Sequence, residues 1–577
     1  MARNNRLRQP SGWSPETIVA AIIVGVVSVV VFGAYGAWWL GCLLRDGSAP
    51  SGLGVMQVVS GLAKKEIPWP GLFGWVGLAA EILAVALASL AVFLVYRRAT
   101  AHSSRVDHAA PYLGRGRDVD TMTVEHAEAS AQRLHVDSPL PGIKVGAFLH
   151  GKGHYYMTYE DMMLVLAGPR TGKTTSLAIP AIMDAPGPVL TTSNKRDIVD
   201  AVRGPRSRKG RVYVFDPQQI VHERQDWWWN PLSYVTDDTR ARKLAGYFSS
   251  SVTDPNAKKD AYFDSTAETL LTDLLLAAAL DGRAITDVWR WLMNPVNPDP
   301  PAILSRCGYP LNADELESIM NAPDKQQQGV YGSAMTMARV LTNREATRWV
   351  TPPKDRHLDE FVPEQFVLSD QTLCSMSREG AGTAGGYVLA LTAAVSEAAE
   401  EAADLQEGGR LAKPMLGILD EAANVCRWRE LPDLYSHFGS RGILFMTFLQ
   451  SWSQGVGAWT SDGMEKLWSA SNVISYLGGI REPDFLDHLS KLLGEYDYRT
   501  RQVSFRRSDV DSNVSVNRDT ILSLDELAAL PRGRELLLAS GSRPVLARTE
   551  PWMARPDAGL VRRSIGEAER RRAHARA

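Results

Sequence analysis

The apolar run MMLVLA (162–167) is followed by GPRTGKTTS (168–176) and then by the helical run LAIPAIM (177–183). A buried strand, a glycine-bearing loop ending in Gly172-Lys173-Thr174 and a helix start form the setting that a phosphate-binding loop requires. Backbone amides between Pro169 and Thr175 are placed to cradle a β-phosphate with the help of the helix N-terminus. The Lys173 ammonium supplies a point charge to β- and γ-phosphates, and the Thr174 hydroxyl is a ligand for Mg2+. Gly168, Pro169, Arg170, Thr171, Gly172, Lys173, Thr174 and Thr175 are therefore the expected nucleotide contacts. The common spacing puts a glycine at position 167, where this chain has Ala167; an alanine serves there if its φ stays negative.

Working outward, further apolar runs bounded by turn residues alternate with helical patterns: PVLTTS (188–193), VYVFDP (212–217), MLGILDEA (415–422) and ILFMTFLQ (443–450). Continuous apolar strands alternating with helices indicate an α/β protein whose parallel sheet is covered on both faces. The run at 415 ends in Asp420-Glu421, so both acids emerge at the carboxyl end of the sheet, beside the phosphate loop. Asp420 suits a water-mediated hold on Mg2+. Glu421 suits orientation and deprotonation of an attacking water. Gln450, at the tip of another strand, is positioned to report on a γ-phosphate. The chemistry expected is ATP hydrolysis with Mg2+.

Residues 260–347 show helical periodicity and few strand-like runs, and are read as an all-helical insertion into a nucleotide-binding domain formed by 143–259 and 348–560. The insertion accounts for much of the long separation between Lys173 and Asp420. Residues 99–142 read as a juxtamembrane linker, and the Arg-rich segment 561–577 as a solvated basic tail. In Trp227-Trp228-Trp229 a buried cluster is favoured over a base-stacking surface.

The first 98 residues differ in kind. No charge occurs between Glu16 and Arg45, and 18–44 is long enough to cross about 30 Å of hydrocarbon as a helix. A second run, 71–96, is broken only by Glu81, which is expected at an oligomer contact or near the membrane interface. Arginines flank the outer ends of the pair (Arg3, Arg6, Arg8; Arg97, Arg98, Arg105), against Arg45, Lys64 and Lys65 in the loop between. This bias predicts two transmembrane helices with both termini and the ATPase body cytoplasmic.

Composition bounds the rest. The 577 residues carry 63 Lys plus Arg against 65 Asp plus Glu, a formal net charge of -2, so any nucleic-acid contact is local rather than a property of the whole surface. The four cysteines have no CxxC spacing, which excludes a disulfide framework and a cysteine zinc site. No LSGGQ-like signature is present, disfavouring an ABC transporter, and no HExxH follows the ATPase core, disfavouring a membrane AAA+ protease.

Taken in order, GPRTGKTT, VYVFDP with WWNPLSYV (228–235), DAYFDSTAETLLTDLL (260–275), LDEAANV (419–425) and FLQSWSQ (448–454) resemble the TraG/TraD-like coupling proteins of type IV secretion, as do the two N-terminal spans. The resemblance implies a RecA-like P-loop core with an all-alpha domain that receives substrate. It further implies a homohexameric ATPase at the bacterial plasma (inner) membrane. The partners so implied are DNA, held without sequence specificity in a central pore, a relaxase or secreted protein, and the type IV secretion channel. Relatives carry an arginine shortly before the strand that ends in the glutamine, reaching a neighbouring subunit's nucleotide; Arg441 in GSRGILF (439–445) lies about two positions from that place and is the candidate. TTSNKRD (191–197) replaces the relatives' acidic-Pro-Lys pattern, so Lys195 is not assigned as a γ-phosphate or pore contact. A chromosome-segregation DNA pump and a nucleotide-gated protein receptor without DNA translocation are the alternatives.

Overall fold

In a computed structural model the described residues are 15–48, 52–100, 104–252, 261–378, 384–506 and 509–576. The chain divides into two compact units, 1–107 with 495–519, and 108–494 with 520–577.

The strands run β1 Ile143–Ala147, β2 His154–Met157, β3 Met163–Leu166, β4 Val189–Ser193, β5 Val212–Phe215, β6 Trp227–Trp228, β7 Asp359–Glu360, β8 Thr372–Met376, β9 Met415–Leu419, β10 Ile443–Leu449, β11 Val473–Tyr476, β12 Glu495–Arg506, β13 Asp509–Thr520, β14 Arg534–Ala539 and β15 Val545–Arg548. In the second unit eleven of them form one sheet in the order β2-β1-β15-β14-β11-β3-β10-β9-β4-β8-β5. The segment from β11 to β5 is wholly parallel, and the β14, β15, β1 and β2 end is antiparallel.

The parallel strands are buried on both faces, as their uninterrupted apolar sequences require. Successive residues alternate between faces. Val165, Ile418 and Met446 enter a cluster with Leu177 of the turn Thr174–Ala178, Ile179 of helix Ile179–Asp184 and Ile198 of helix Asp197–Arg206. Phe445, one residue from Met446, instead packs against Trp428 and Phe438 on the other side. All five strands expected from sequence form. Two in the parallel segment were not anticipated, β8 (TLCSM) and β11 (VISY). Both bury hydroxyl groups, Thr372, Ser375 and Ser475, and so lack a purely apolar signature.

Between β6 and β7, which pair in parallel, no strand occurs among the described residues; the regular elements from Asp238–Val252 to Arg344–Thr347 are all helices. The helical body thus begins near 238 rather than 260. Fully buried Trp227 roots it, meeting Tyr213, Phe215, Trp349 and Phe361 at ring-centroid distances of 5.3–6.0 Å. Trp229 is also fully buried, so these two rings are core.

Two segments differ from the sequence expectation. Part of the supposed linker folds into the second unit: Leu113, Val119 and Met122 are buried, and Gly114 N–H donates to Pro544 O. The Arg-rich end is not a solvated tail. Helix Ala558–Arg576 buries Val561, Ser564, Ala568 and Arg572. Ser564 Oγ donates to Asp200 O at 2.7 Å, and Arg572 grips both Asp200 oxygens at 2.9 Å. One apolar residue per turn, at 561, 565 and 568, is enough to seat a helix whose arginine stems snorkel outward.

The first unit holds helices Pro15–Asp46, Val55–Ala63 and Leu72–Thr100 and the β12-β13 hairpin. The two long helices meet through small residues: a Cβ on Gly41 would lie 2.7 Å from Gly74 Cα, and one on Gly77 2.8 Å from Ala37 O. Glu81 lies against Gly33 and Gly36 of the first helix. Among the described residues no helix is long and apolar enough to cross a membrane. The expected spans 18–44 and 71–96 fall partly on residues whose side chains lie outside the described set, 15–30, 85, 88, 89 and 91–100.

Candidate functional site

Parallel register brings three strand tips together. Leu166 of β3 is level with Leu449 of β10, and Thr447 of β10 with Leu419 of β9. The phosphate loop, Gln450 and the pair Asp420-Glu421 therefore leave the sheet side by side, with β10 between the other two strands. This is where a parallel sheet offers its ligand crevice.

The loop is held from below. Ala167 N–H donates to Leu449 O and Gly168 N–H to Gly478 O. A Cβ on Gly168 would stand 2.3 Å from Gly479 O, so only glycine lets the two segments approach. Ala167 does not take a positive φ, and alanine is tolerated there. Arg170 (φ +63°) and Gly172 (φ +99°) make the left-handed turns that curl the loop. Thr171 Oγ1 donates to Gly168 O, and Thr175 Oγ1 to Gly172 O. Pro169 and Arg170 are exposed. Thr174–Ala178 winds as a π-helical turn in which Ile179 N–H reaches Thr174 O. Pro180 follows; a proline ring clashes with the carbonyl four residues earlier, and the wider turn relieves this.

Charges converge at the strand tips. Lys173 Nζ lies 2.8 Å from Glu421 Oε1 and 3.5 Å from Asp420 Oδ1. Gln450 Nε2 donates to Glu421 Oε2, and Ser193 Oγ donates to Asp420 Oδ2 at 3.1 Å. Glu421 is fully buried and sits at φ +55°, ψ +43°, a strained conformation for a residue with a side chain. The turn it makes projects its carboxylate onto Lys173. Burial pushes the Asp420 carboxyl up; Lys173 opposes this and Glu421 adds to it. Asp420 Oδ1 is buried and accepts no hydrogen bond. An orphaned carboxylate oxygen beside Lys173, with its sister oxygen fixed by Ser193, fits a carboxylate awaiting a hydrated divalent cation. Thr174 stands next to Lys173 at the start of the helix.

Lys173, Asp420, Glu421 and Gln450 are thus brought together, with Thr174 beside them. Arg441 is not. It precedes β10, at the opposite end of the strand from Gln450, and pairs with Asp404 at 2.7 Å and Glu400 at 3.6 Å. Sequence reasoning missed Ser193 and the Gly478-Gly479 turn. The only available signal was the paired glycines, both with positive φ, directly after an unrecognised strand.

Two family models match the chain: Type IV secretory system Conjugative DNA transfer over residues 101–295, and TraM recognition site of TraD and TraG over 414–532. Among characterised relatives, the conjugal transfer protein TraG of Agrobacterium fabrum is 23% identical over 431 residues, 70% of this chain and 62% of its own length. The type IV secretion system-coupling protein VirD4 of Bartonella quintana is 30% identical over 419 residues, 66% of this chain and 61% of its own. The chain therefore spans less than two thirds of each. Two solved structures share the fold. The bacterial conjugative coupling protein TrwB, in a trigonal form with sulphate, aligns at TM-score 0.52 with 16% identity, covering 73% of this chain and 92% of that one. TrwB in complex with ADP and Mg2+ aligns at 0.50 with 16% identity, covering 69% and 87%.

Proposed function

Because the chain belongs to the coupling proteins of type IV secretion, we propose that it is a membrane-anchored ATPase that couples nucleotide hydrolysis to recruitment and translocation of DNA or DNA-protein substrates. The observation that carries this reading is the convergence of Lys173, Asp420, Glu421 and Gln450 on one strand-tip crevice beside a phosphate loop. TrwB, of the same fold, is described with ADP and Mg2+ bound, which supports ATP and Mg2+ as ligands here.

In this mechanism ATP enters over residues 168–175, and the loop amides take the β-phosphate. Lys173 leaves Glu421 for the β- and γ-phosphate oxygens. Thr174 and Asp420 would hold Mg2+, which neutralises charge on the phosphates. Glu421, freed of its first partner, accepts a proton from the attacking water as the new P–O bond forms and the bond to the β–γ bridging oxygen breaks, giving ADP and phosphate. Gln450 keeps the Glu421 carboxylate oriented and carries its position to the helix Trp452–Ala470, whose Gln454 accepts from Gln450 N–H at 2.8 Å.

Helices Pro15–Asp46 and Leu72–Thr100 are the proposed membrane anchor, supported by the uncharged stretch 17–44 and by glycine contacts suited to close helix pairing in lipid. The arginine bias then puts the ATPase body on the cytoplasmic face of a bacterial plasma membrane. A homohexamer would complete each site from a neighbour, Arg441 being the arginine offered in trans. The helical body would receive a relaxase or other secreted protein for the type IV channel. DNA would be held through its backbone, a contact that does not depend on sequence. The test is ATP turnover by the full chain with single-stranded, double-stranded and no DNA. Stimulation by DNA is expected; turnover indifferent to DNA in an assembled oligomer would favour a receptor for proteins alone, and absence of turnover would overturn the reading.

A further inference from the structure

Lys195 lies in the loop after β4, outside the phosphate loop and the acidic pair, yet its Nζ is 3.8 Å from Glu421 Oε1. That oxygen is the one Lys173 holds at 2.8 Å. The two lysines differ in every other respect: the Lys173 side chain is 11% exposed and committed to the crevice, whereas that of Lys195 is 60% exposed and free to advance. The loop carrying Lys195 is fastened to the acidic pair at its β4 end. Asp420 N–H donates to Thr192 O at 3.2 Å, Ser193 Oγ donates to Asp420 Oδ2, and Lys195 N–H donates to Ser193 Oγ at 3.1 Å. Pairing of β4 with β9 thus sets Ser193 beside Asp420 and brings Lys195 within reach of Glu421.

Resting on the hydrolytic reading above, we infer that Lys195 is a positioning residue that takes over the Glu421 carboxylate when nucleotide draws Lys173 away. Glu421 is fully buried, and a buried carboxylate stripped of its cation is costly. Gln450 offers it only a neutral donor, and Asp420 adds a like charge. Among the described contacts of Glu421, Lys195 is the remaining cation. The exchange keeps Glu421 ionised and aimed while Lys173 serves the phosphates.

The test is a binding cycle with a non-hydrolysable ATP analogue on the full chain, using Lys195→Gln, Glu421→Gln and the double variant. Lys195→Gln should weaken analogue binding about 10-fold where Glu421 is present, since binding then strands the carboxylate. In the Glu421→Gln background, where no carboxylate needs a partner, the same change should alter affinity less than about 2-fold. Lys195→Arg should restore binding, and turnover should follow the same order. Equal weakening in both backgrounds would mean that Lys195 touches the nucleotide or only supports the loop, and no weakening in either would mean that it is idle; both overturn the inference while leaving the ATPase reading intact. A wild-type chain that binds no analogue would overturn both.

Discussion

The crevice at the tips of β3, β9 and β10 and the helical body between β6 and β7 are built on opposite principles. The crevice buries a lysine and two carboxylates in mutual contact, holds Glu421 in a left-handed conformation and leaves a buried Asp420 oxygen without a hydrogen bond. The helical body is held by apolar and aromatic packing, rooted on Trp227. Its deepest acid, Asp273, makes no ion pair among the described residues, the Arg242 charge acting on it only from a distance. Asp273 Oδ1 accepts from Asn312 Nδ2 at 2.9 Å, Oδ2 accepts no hydrogen bond, and burial pushes the carboxyl up to about 7. Strain and orphaned polar atoms therefore mean different things in the two places. In the crevice they are paired with charges that a ligand would rearrange; in the helical body they are a simple cost of burial.

The contrast can be broken at four points. Lys173→Ala removes the charge on which the crevice closes and should lower ATP turnover by about 1,000-fold or more, measured as phosphate release. Retained turnover would remove the phosphate loop from the chemistry. Glu421→Gln keeps shape and hydrogen bonding but not the base. Turnover should fall by roughly 100- to 10,000-fold while ATP binding persists, so normal steady-state rates would exclude Glu421 as the base.

Trp227→Ala acts on the other region. Loss of a buried indole from an aromatic cluster should cost about 3–5 kcal/mol of stability, read by denaturant or thermal unfolding, with turnover per folded molecule retained. Unchanged stability with lost DNA stimulation would instead make Trp227 a base-stacking residue. The smallest effect is expected at Asp273. A carboxyl whose folded pKa is raised stabilises the fold fully only below its unfolded value, and the chain loses that stability as pH climbs from about 4 to 7. Asp273→Asn should therefore raise stability at pH 8, by at most about 4 kcal/mol, and leave it near wild type at pH 4. Equal melting temperatures of variant and parent at pH 8 would show the carboxyl to be hydrated.

Legibility followed the same divide. The phosphate loop and the two strands ending in Asp420-Glu421 and Gln450 were readable because each is a local pattern, an apolar run with polar residues at its end. β8 and β11 were hidden by buried hydroxyls. Ser193, Lys195 and Gly479 acquire meaning only through neighbours far away in sequence: Ser193 through Asp420, Lys195 through Glu421, Gly479 through Gly168. The Arg-rich end misled for a related reason, since what seats it are polar contacts from helix Asp197–Arg206, whose Asp200 binds Ser564 and Arg572 and whose Gly204 N–H donates to Ser564 Oγ.

By itself the sequence determined the α/β class, the helical insertion, the loop that would take phosphates and the acids that would face it, since strand and helix periodicity and strand-end polarity are properties of short segments. Tertiary structure alone decided which strands lie side by side, and with them that Gln450 stands between loop and acids, that Lys195 shares an oxygen with Lys173, and that Arg441 lies at the far end of its strand. Strand order is set by how apolar faces are covered across the whole domain, and no short stretch of sequence carries that information.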